Sequence, residues 1–260
     1  MNVMEMFSLR GKVALVVGGA GLYGRQITTA LTQAGANVYV TSRHQGKLTE
    51  LEQNYKQTGV QVKAKYMDQA VEDTVISLRD ELLKEVGRID VLVCNAVGRV
   101  TNGWNGDTEK FDLSMRINAT GLYSMTKIFG NEMEKQKSGS IIYIGSMQGM
   151  VGPDATLYEG LEMSGFSPDY YFHKGGMINF TKFVASYYGK SNVRCNCISP
   201  GGIQSHRTPP EFVERYNKRT LLNRMANDTD LMGVTVFLAS DASAYITGAN
   251  IPVDGGYTAK

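Results

Sequence analysis

Cysteine is scarce in this chain. Three of them, Cys94, Cys195 and Cys197, in 260 residues make no disulfide framework. An excess of one charge sign is also missing. Lys and Arg number 27 against 25 Asp and Glu, a formal net charge of +2, and no block of like charges appears. Nucleic acid is therefore not an expected partner. No apolar run reaches membrane-spanning length, and residues 1–10 lack the apolar core of a signal peptide. No membrane partner is expected, and the expected location is cytoplasmic. The three histidines, His44, His173 and His206, are scattered and have no metal-ligand spacing. Cys195 and Cys197 would share one face of a strand, but no other ligand joins them, so they read as core thiols and no metal is expected. A nucleophile elbow, G-x-S-x-G, is lacking too, because Ile144 stands two residues before Ser146. What is there is 42% hydrophobic and 20% charged, enough for one α/β domain with a substantial core.

Strand and helix patterns alternate from end to end. Residues 12–17 form a nearly continuous apolar run, the mark of a strand buried on both faces. The turn Gly18-Gly19-Ala20-Gly21-Leu22-Tyr23-Gly24 follows, and residues 25–31 have helical character. Strand, glycine turn and helix are the context of a dinucleotide site. Glycines admit a pyrophosphate to the backbone, and a helix N-terminus offers free N–H groups. A second strand, 38–41, runs into Ser42-Arg43, where an acidic residue would read a free ribose 2′-hydroxyl. A hydroxyl and a guanidinium suit a 2′-phosphate instead. NADP(H) is favoured, with NAD(H) the alternative if Arg43 only stacks on the adenine.

Helices are expected at 47–57 and 71–87, and strands at 60–66 and 89–94. Asp68 follows the first of these strands, where adenine would lie, and Asn95-Ala96-Val97-Gly98 follows the second. The loop 99–107 carries Trp104, the single tryptophan, read equally as a residue of a cleft mouth or of a packed loop. A long helix is expected over 108–137 and contains Asn118. The strand 140–144 closes at Gly145-Ser146, which places a hydroxyl where open α/β sheets bind ligands. From there it can donate to a carbonyl. Residues 152–168 are polar and acidic. Further helices are expected from Tyr170 and over 209–220 and 228–240, with strands at 193–198 and 250–253. No linker or repeat interrupts the alternation. The expected fold is a Rossmann-type doubly wound parallel sheet, a three-layer α/β/α arrangement in a single domain over 1–260. Its substrate loops are expected at 99–107, 148–169 and 201–225.

In that frame Tyr170 and Lys174 fall one turn apart on one helix face. A free phenol titrates near pH ~10, too high for a base at neutral pH. A neighbouring cation stabilises the phenolate, and a shift of ~3 units takes roughly 4 kcal/mol of differential interaction. With 14 tyrosines in the chain this spacing alone is equally a surface pair. Its weight comes from the nucleotide turn and from Ser146.

Several separated motifs agree in order and spacing. They are Tyr170-x-x-x-Lys174, Tyr143-Ile144-Gly145-Ser146, Arg116-Ile117-Asn118-Ala119-Thr120-Gly121 and Pro200-Gly201-Gly202-Ile203-Gln204-Ser205. The run Ala239 to Gly248 ahead of Val253-Asp254-Gly255-Gly256 completes the set. Together they resemble the short-chain dehydrogenase/reductase family along essentially the whole chain. There are departures. Val17 stands where the family usually has threonine, and the spacing of Gly18, Gly21 and Gly24 is similar to that of long-chain members. The usual Asn-Asn-Ala-Gly is Cys94-Asn95-Ala96-Val97. The long stretch from Ser146 to Tyr170 resembles sugar-modifying members, including nonulosonate-pathway enzymes. Residues 7–14 resemble sugar-acid dehydrogenases such as gluconate 5-dehydrogenase.

The resemblance implies an NAD(P)(H)-dependent oxidoreductase that interconverts a secondary alcohol and a ketone. It implies Tyr170 as acid/base, Lys174 as partner of the phenolate and the ribose, Ser146 as carbonyl polariser and Asn118 as holder of a relay water. It places cofactor contacts at Gly18, Gly21, Leu22, Tyr23, Gly24, Ser42, Arg43, Asp68, Asn95, Ala96, Lys174, Pro200, Gly201, Ile203 and Ser205. Family members commonly form tetramers through the helices of Asn118 and Tyr170 and through the C-terminal strand, and the segment Tyr245 to Tyr257 offers apolar Ile246, Ile251, Val253 and Tyr257, so a homotetramer is expected, with a dimer as alternative. Asp154, Tyr158, Glu159 and Glu162, with Gln148 and Trp104, suit a polyhydroxylated substrate better than a lipid. A small molecule of the sugar, sugar acid or sugar derivative class is therefore expected. Two rivals are kept. One is a 3-oxoacyl-[acyl-carrier-protein] reductase, whose acidic partner an acidic insertion would repel. The other is a non-catalytic nucleotide-binding regulatory protein, against which the set of Asn118, Ser146, Tyr170 and Lys174 speaks.

Overall fold

The computed structural model describes residues 2–163 and 165–260; Ser164, inside the 152–168 segment, lies outside them. The apolar run that opens the chain becomes β1 (Val13–Val17), buried at every position. Its alternate side chains go to opposite faces of the sheet. Val13, Leu15 and Val17 join one core, and Ala14 and Val16 join the other. Both faces must therefore be covered, which a crossover helix after each strand achieves.

The other strands are β2 (Asn37–Ser42), β3 (Lys63–Tyr66), β4 (Val91–Cys94), β5 (Gly139–Ile144), β6 (Val193–Pro200) and β7 (Asn250–Val253). They form one parallel sheet in the order β3-β2-β1-β4-β5-β6-β7. The helices α1 (Leu22–Gln33), α2 (Leu48–Lys56) and α8 (Met232–Ala239) cover one face through Ile27, Leu31, Leu51 and Leu238. The other face lies under α3 (Glu72–Val86), α5 (Gly121–Gln136) and α6 (Pro168–Tyr188), through Leu78, Leu82, Phe129 and Val184. Each such side chain contributes ~1.5–3 kcal/mol of burial. The chain reverses its direction of travel across the sheet between β1 and β4. A crevice opens there, beyond the carboxyl ends of the strands.

Two elements differ from expectation for local reasons. The strand expected over 60–66 forms only at Lys63–Tyr66, because Val60 N–H bonds the Tyr55 carbonyl and helps to end α2. The long helix expected over 108–137 is broken. It consists of α4 (Thr108–Met115), a π-helical turn Arg116–Thr120, and α5. Gln69 Nε2 donates to the Ile117 carbonyl at 3.0 Å, taking up one carbonyl of the turn. A Cβ on Gly121 would sit 2.6 Å from the Gln69 carbonyl oxygen, so the backbones meet here with no room for a side chain. The last helices are also shorter than expected, with α7 (Pro210–Asn217) and α8 in place of 209–220 and 228–240.

Candidate active site

At the crevice β1 hands over to the glycine turn. Gly18 has φ +82°, and Asn95 Nδ2 donates to its carbonyl at 2.8 Å. A Cβ on Gly18 would lie 2.7 Å from Ala96 Cα, and one on Gly24 would lie 2.2 Å from the Gly18 carbonyl oxygen. Neither position tolerates a side chain. Helix α1 starts at once, with Gly21 as its N-cap and no side-chain capping bond. Its first N–H groups are left for a ligand at the cleft edge. That cradle fits the pyrophosphate of a dinucleotide. Tyr23 closes its other side by donating from its hydroxyl to the Gly201 carbonyl at 2.8 Å.

The cleft has a volume of about 600 Å³, and Ser146, Tyr170 and Lys174 all line it. Helix α6 delivers the last two. Its buried Asp169 accepts hydrogen bonds from Thr101 and Ser114, which bind its first turn to the 99–107 loop and to α4. Lys174 is 3% exposed and donates from Nζ to the Ile144 carbonyl at 2.5 Å. The same nitrogen lies 5.6 Å from the centroid of the Tyr170 ring. Burial pushes the Lys174 ammonium below its ordinary range, and the Tyr170 phenol opposes that. Ser146 Oγ accepts from Gln148 N–H at 3.1 Å, so its own O–H is left to donate into the cleft. The arrangement sets a phenol, a buried ammonium and a hydroxyl donor around one point, as proton exchange at a carbonyl requires.

A short-chain dehydrogenase family model, described as Enoyl-(Acyl carrier protein) reductase, matches residues 21–258. The chain belongs to the short-chain dehydrogenase/reductase family. It is 32% identical to a sorbose reductase from Candida albicans over 99% of this chain and 90% of that protein. It is 32% identical to a 7alpha-hydroxysteroid dehydrogenase from Paraclostridium sordellii, over 97% of this chain and 94% of that one. A solved gluconate 5-dehydrogenase from Burkholderia cenocepacia, in complex with NADP and tartrate, superposes with a TM-score of 0.88 at 26% identity, covering 100% of both chains. A xylitol dehydrogenase bound to NAD+ does so with 0.85 at 25%, covering 95% of this chain and 99% of that one. An oxidoreductase of this family is thus the molecule at hand.

Other residues singled out in the sequence fall at several places. Gly21, Leu22, Ala96, Pro200 and Ile203 line the cleft, while Gly24 is buried beneath the turn. Ser42, Arg43 and Asp68 are not part of the cleft lining and belong to the strand ends beside it. Arg43 is exposed and has no hydrogen bond or ion pair among the described residues. Ser42 Oγ accepts from His44 N–H at 3.1 Å, and Asp68 Oδ1 from Ala70 N–H at 2.9 Å. Ser205 lines a different hollow, with His206 and residues of α1 and α2. Asn118 sits in the π-helical turn and does not reach the cleft. Its Nδ2 donates to the Gly98 carbonyl at 2.8 Å and to Ser114 Oγ at 3.0 Å, and its Oδ1 accepts from Gly98 N–H at 2.8 Å. Both of its side-chain donors are used, and it holds the 98 peptide in place.

The acidic insertion needs correcting. Asp154 pairs with Arg219 Nε at 2.7 Å and caps Thr156 N–H at 3.0 Å. The Arg219 hydrogen bond holds its carboxyl below the ordinary range. Glu159 and Glu162 are exposed and outside the cleft lining. The segment instead presents Tyr158 and Met163 to the cleft, and Leu157 packs with Met147, Phe212, Tyr216 and Met225 in a small core of its own. Trp104 is 81% exposed. One cleft residue escaped the sequence reading. The Arg99 guanidinium carbon lies 5.2 Å from the Tyr170 ring centroid, with no ion pair or hydrogen bond among the described residues. Its only sequence signal is position, directly after the turn that follows β4.

Proposed function

We propose that the protein is an NADP(H)-dependent dehydrogenase that interconverts a secondary alcohol and a ketone on a sugar acid or a related acidic sugar derivative. The observation that carries the reading is Lys174, buried and fixed beneath Tyr170 in the same cleft as Ser146. A bound nicotinamide supplies the hydride acceptor or donor. The residues do the rest. Tyr170 takes the hydroxyl proton on oxidation and returns it on reduction. Lys174 keeps a positive charge beside the phenolate and is placed to hold the cofactor ribose. Ser146 donates to the carbonyl oxygen and fixes its direction. Asn118 keeps Gly98 and the π turn in place and is assigned the relay water through that turn's backbone. The uncapped N-terminus of α1 holds the pyrophosphate, with Asn95 and Ala96 alongside. Arg43 and Ser42 take the 2′-phosphate, and Asp68 borders the adenine. The loops 99–107, 148–169 and 201–225 form the substrate side of one domain.

Charge supports an acidic substrate. Arg99 and Lys174 are the charged residues of the cleft lining, and both are basic. A carboxylate at Arg99 would gain charge-assisted hydrogen bonds, and that guanidinium forms no ion pair with a described residue. Names among the relatives, sorbose reductase and gluconate 5-dehydrogenase, fit a sugar framework. A panel of D-gluconate, D-sorbitol, a 7α-hydroxysteroid and a 3-oxoacyl thioester, each with NADP(H) and NAD(H), tests the reading. Turnover of the sugar acid with NADP+ is expected. Turnover of the steroid or the thioester with every sugar refused would overturn the substrate while leaving the family intact.

Assembly as a cytoplasmic homotetramer belongs to the same proposal. Tyr123 on α5 and Phe172, Phe183 and Tyr187 on α6 are all more than half exposed, an apolar stripe that a second copy would cover. Light scattering should give four copies, with two as the alternative. A monomer at micromolar concentration would refute it.

A further inference from the structure

One peptide bond at the cleft is gripped along both edges by tyrosines. It joins Gly201 to Gly202, just past β6. Tyr23, on the first turn of α1, donates from its hydroxyl to the Gly201 carbonyl at 2.8 Å. The Gly202 N–H donates to the hydroxyl of Tyr216, on α7, at 2.5 Å. The outer groups of the two glycines are taken as well. Gly201 N–H donates to the Val253 carbonyl at 3.0 Å, and Ala226 N–H to the Gly202 carbonyl at 2.9 Å. A Cβ on Gly201 would lie 2.9 Å from the Tyr216 hydroxyl oxygen, so only glycine lets that ring come this close. Burial raises both phenols above their ordinary range. At neutral pH each therefore keeps its proton. Tyr23 donates to the peptide, and Tyr216 accepts from it while donating to Met147 Sδ at 3.3 Å.

The two rings come from opposite sides of the cleft. Tyr23 belongs to the turn whose free N–H groups fit a pyrophosphate. Tyr216 belongs to the substrate side and is 2% exposed, in the small core with Leu157 and Phe212. The insertion is tied to that same helix. Arg215 donates to the Glu159 carbonyl at 2.6 Å, and Arg219, just beyond α7, donates to Thr156 Oγ1 at 2.7 Å. A continuous set of bonds thus runs from the glycine turn through one peptide to α7 and on to the insertion. Met147 adjoins Ser146, so the Tyr216 hydroxyl also reaches the strand end that carries the carbonyl donor.

We propose that Tyr23 and Tyr216 are positioning residues whose shared peptide links the two halves of the cleft, so that a nucleotide on the glycine turn tightens binding of the sugar acid and the sugar acid tightens binding of the nucleotide. The proposal rests on the dehydrogenase reading above. A nucleotide fixes the first turn of α1. Tyr23 passes that order to the peptide, and Tyr216 passes it to α7. The first ligand then orders the wall, and the second binds without that entropic cost. The gain in affinity must be the same in both directions.

NADPH and D-gluconate are both reduced and bind together without reacting, so affinities can be read at equilibrium from nicotinamide fluorescence. NADH takes the place of NADPH if the protein prefers it. Saturating D-gluconate should lower the Kd of NADPH about tenfold in the unaltered protein. In Tyr23→Phe and in Tyr216→Phe that factor should fall to about twofold or less, while the Kd of NADPH alone changes less than about threefold. The double variant should lose no more than either single one, because both hydroxyls act on one peptide. No coupling in the unaltered protein, an unchanged factor in either variant, or additive losses in the double variant overturns the proposal. So does weaker NADPH binding with the factor intact, because that marks packing alone. Amide hydrogen exchange gives a readout without substrate. NADPH alone should slow exchange over 155–161 and 210–217, and Tyr23→Phe should abolish the slowing. Slowing that persists in the variant, or is absent from the unaltered protein, overturns the link. If NADPH binds and D-gluconate does not, the substrate reading has failed, and the exchange result decides the link by itself. If neither nucleotide binds, the dehydrogenase reading has failed first, and the link falls with it.

Discussion

Two stretches border the same cleft and are built in opposite ways. Helix α6 puts Lys174 and Asp169 among the most buried polar groups of the chain and binds its first turn through Thr101 and Ser114. The neighbouring 152–168 segment has, among its described residues, one short 3₁₀ turn, Ala155–Leu157, and leans on α7 through Leu157 and on Arg219 through Asp154. In α6 the helix period decides which side chains meet. In the insertion the meeting is decided by partners about 55 to 65 residues away, which no local spacing reveals. An element fixed by buried hydrogen bonds therefore carries the groups proposed for chemistry, and one held by distant partners gives Tyr158 and Met163 to the cleft wall.

The largest effect should come from α6. Tyr170→Phe removes the proton donor and leaves the glycine turn untouched, so D-gluconate turnover should fall at least ~100-fold while NADP+ binding, read by fluorescence, stays normal. Near-normal turnover would break the contrast at its stronger end. Next come the substrate loops, 99–107 first and the insertion after it. Arg99→Ala should raise KM for D-gluconate by ~10- to 100-fold, the worth of a charged hydrogen bond of ~1.5–3 kcal/mol, and leave any D-sorbitol turnover nearly unchanged. The double variant Glu159→Ala, Glu162→Ala should change neither, because both residues are exposed and outside the cleft lining. A rise in KM there would restore the acidic residues as the sugar contacts.

Smaller still is the cofactor. Arg43→Ala should raise KM for NADP+ about tenfold and that for NAD+ far less, within the range of a phosphate contact. Equal changes would show that Arg43 does not read the 2′-phosphate. The smallest effects are on stability. His173 is held neutral in the fold down to about 4, while an unfolded histidine protonates near 6.5. Stability should therefore fall as pH drops from 6.5 towards 4, because the unfolded state binds the extra proton. His173→Gln should flatten that limb of a melting-temperature profile. Arg219→Ala should lower the melting temperature only slightly, since an exposed pair contributes ~0–1 kcal/mol. Its main effect should be on KM, if the insertion depends on that ion pair for its shape.

The centre of the sheet was legible because buried parallel strands read as apolar runs, and β1, β4 and β5 are each closed by a glycine or asparagine, at Gly18, Asn95 and Gly145. The meeting of Ser146, Tyr170 and Lys174 was legible for a similar reason. A strand end and a helix period leave little freedom about where such groups sit. The π turn was not legible, because the partner that takes up one of its carbonyls, Gln69, lies 48 residues before Ile117 in the chain. Arg99 was hidden by its neighbourhood, an arginine in a polar loop being ordinary until its guanidinium turns out to lie against the Tyr170 ring with no ion pair among the described residues. The acidic insertion misled because carboxylates in a sequence advertise charge and not whether an arginine has already claimed it, as Arg219 has claimed Asp154.

The π turn at 116–120 also sets a phase. One residue more than an α-helix needs lies between α4 and α5, and each residue turns a helix by roughly 100°. Leu122, Met125 and Phe129 face the sheet only because that extra residue is counted in. Deleting a single residue there would restore a smooth helix and swing those three side chains about a quarter-turn off the core. The irregularity is the gear tooth that keeps the two halves of the helix in mesh with different neighbours, α4 with the site and α5 with the sheet.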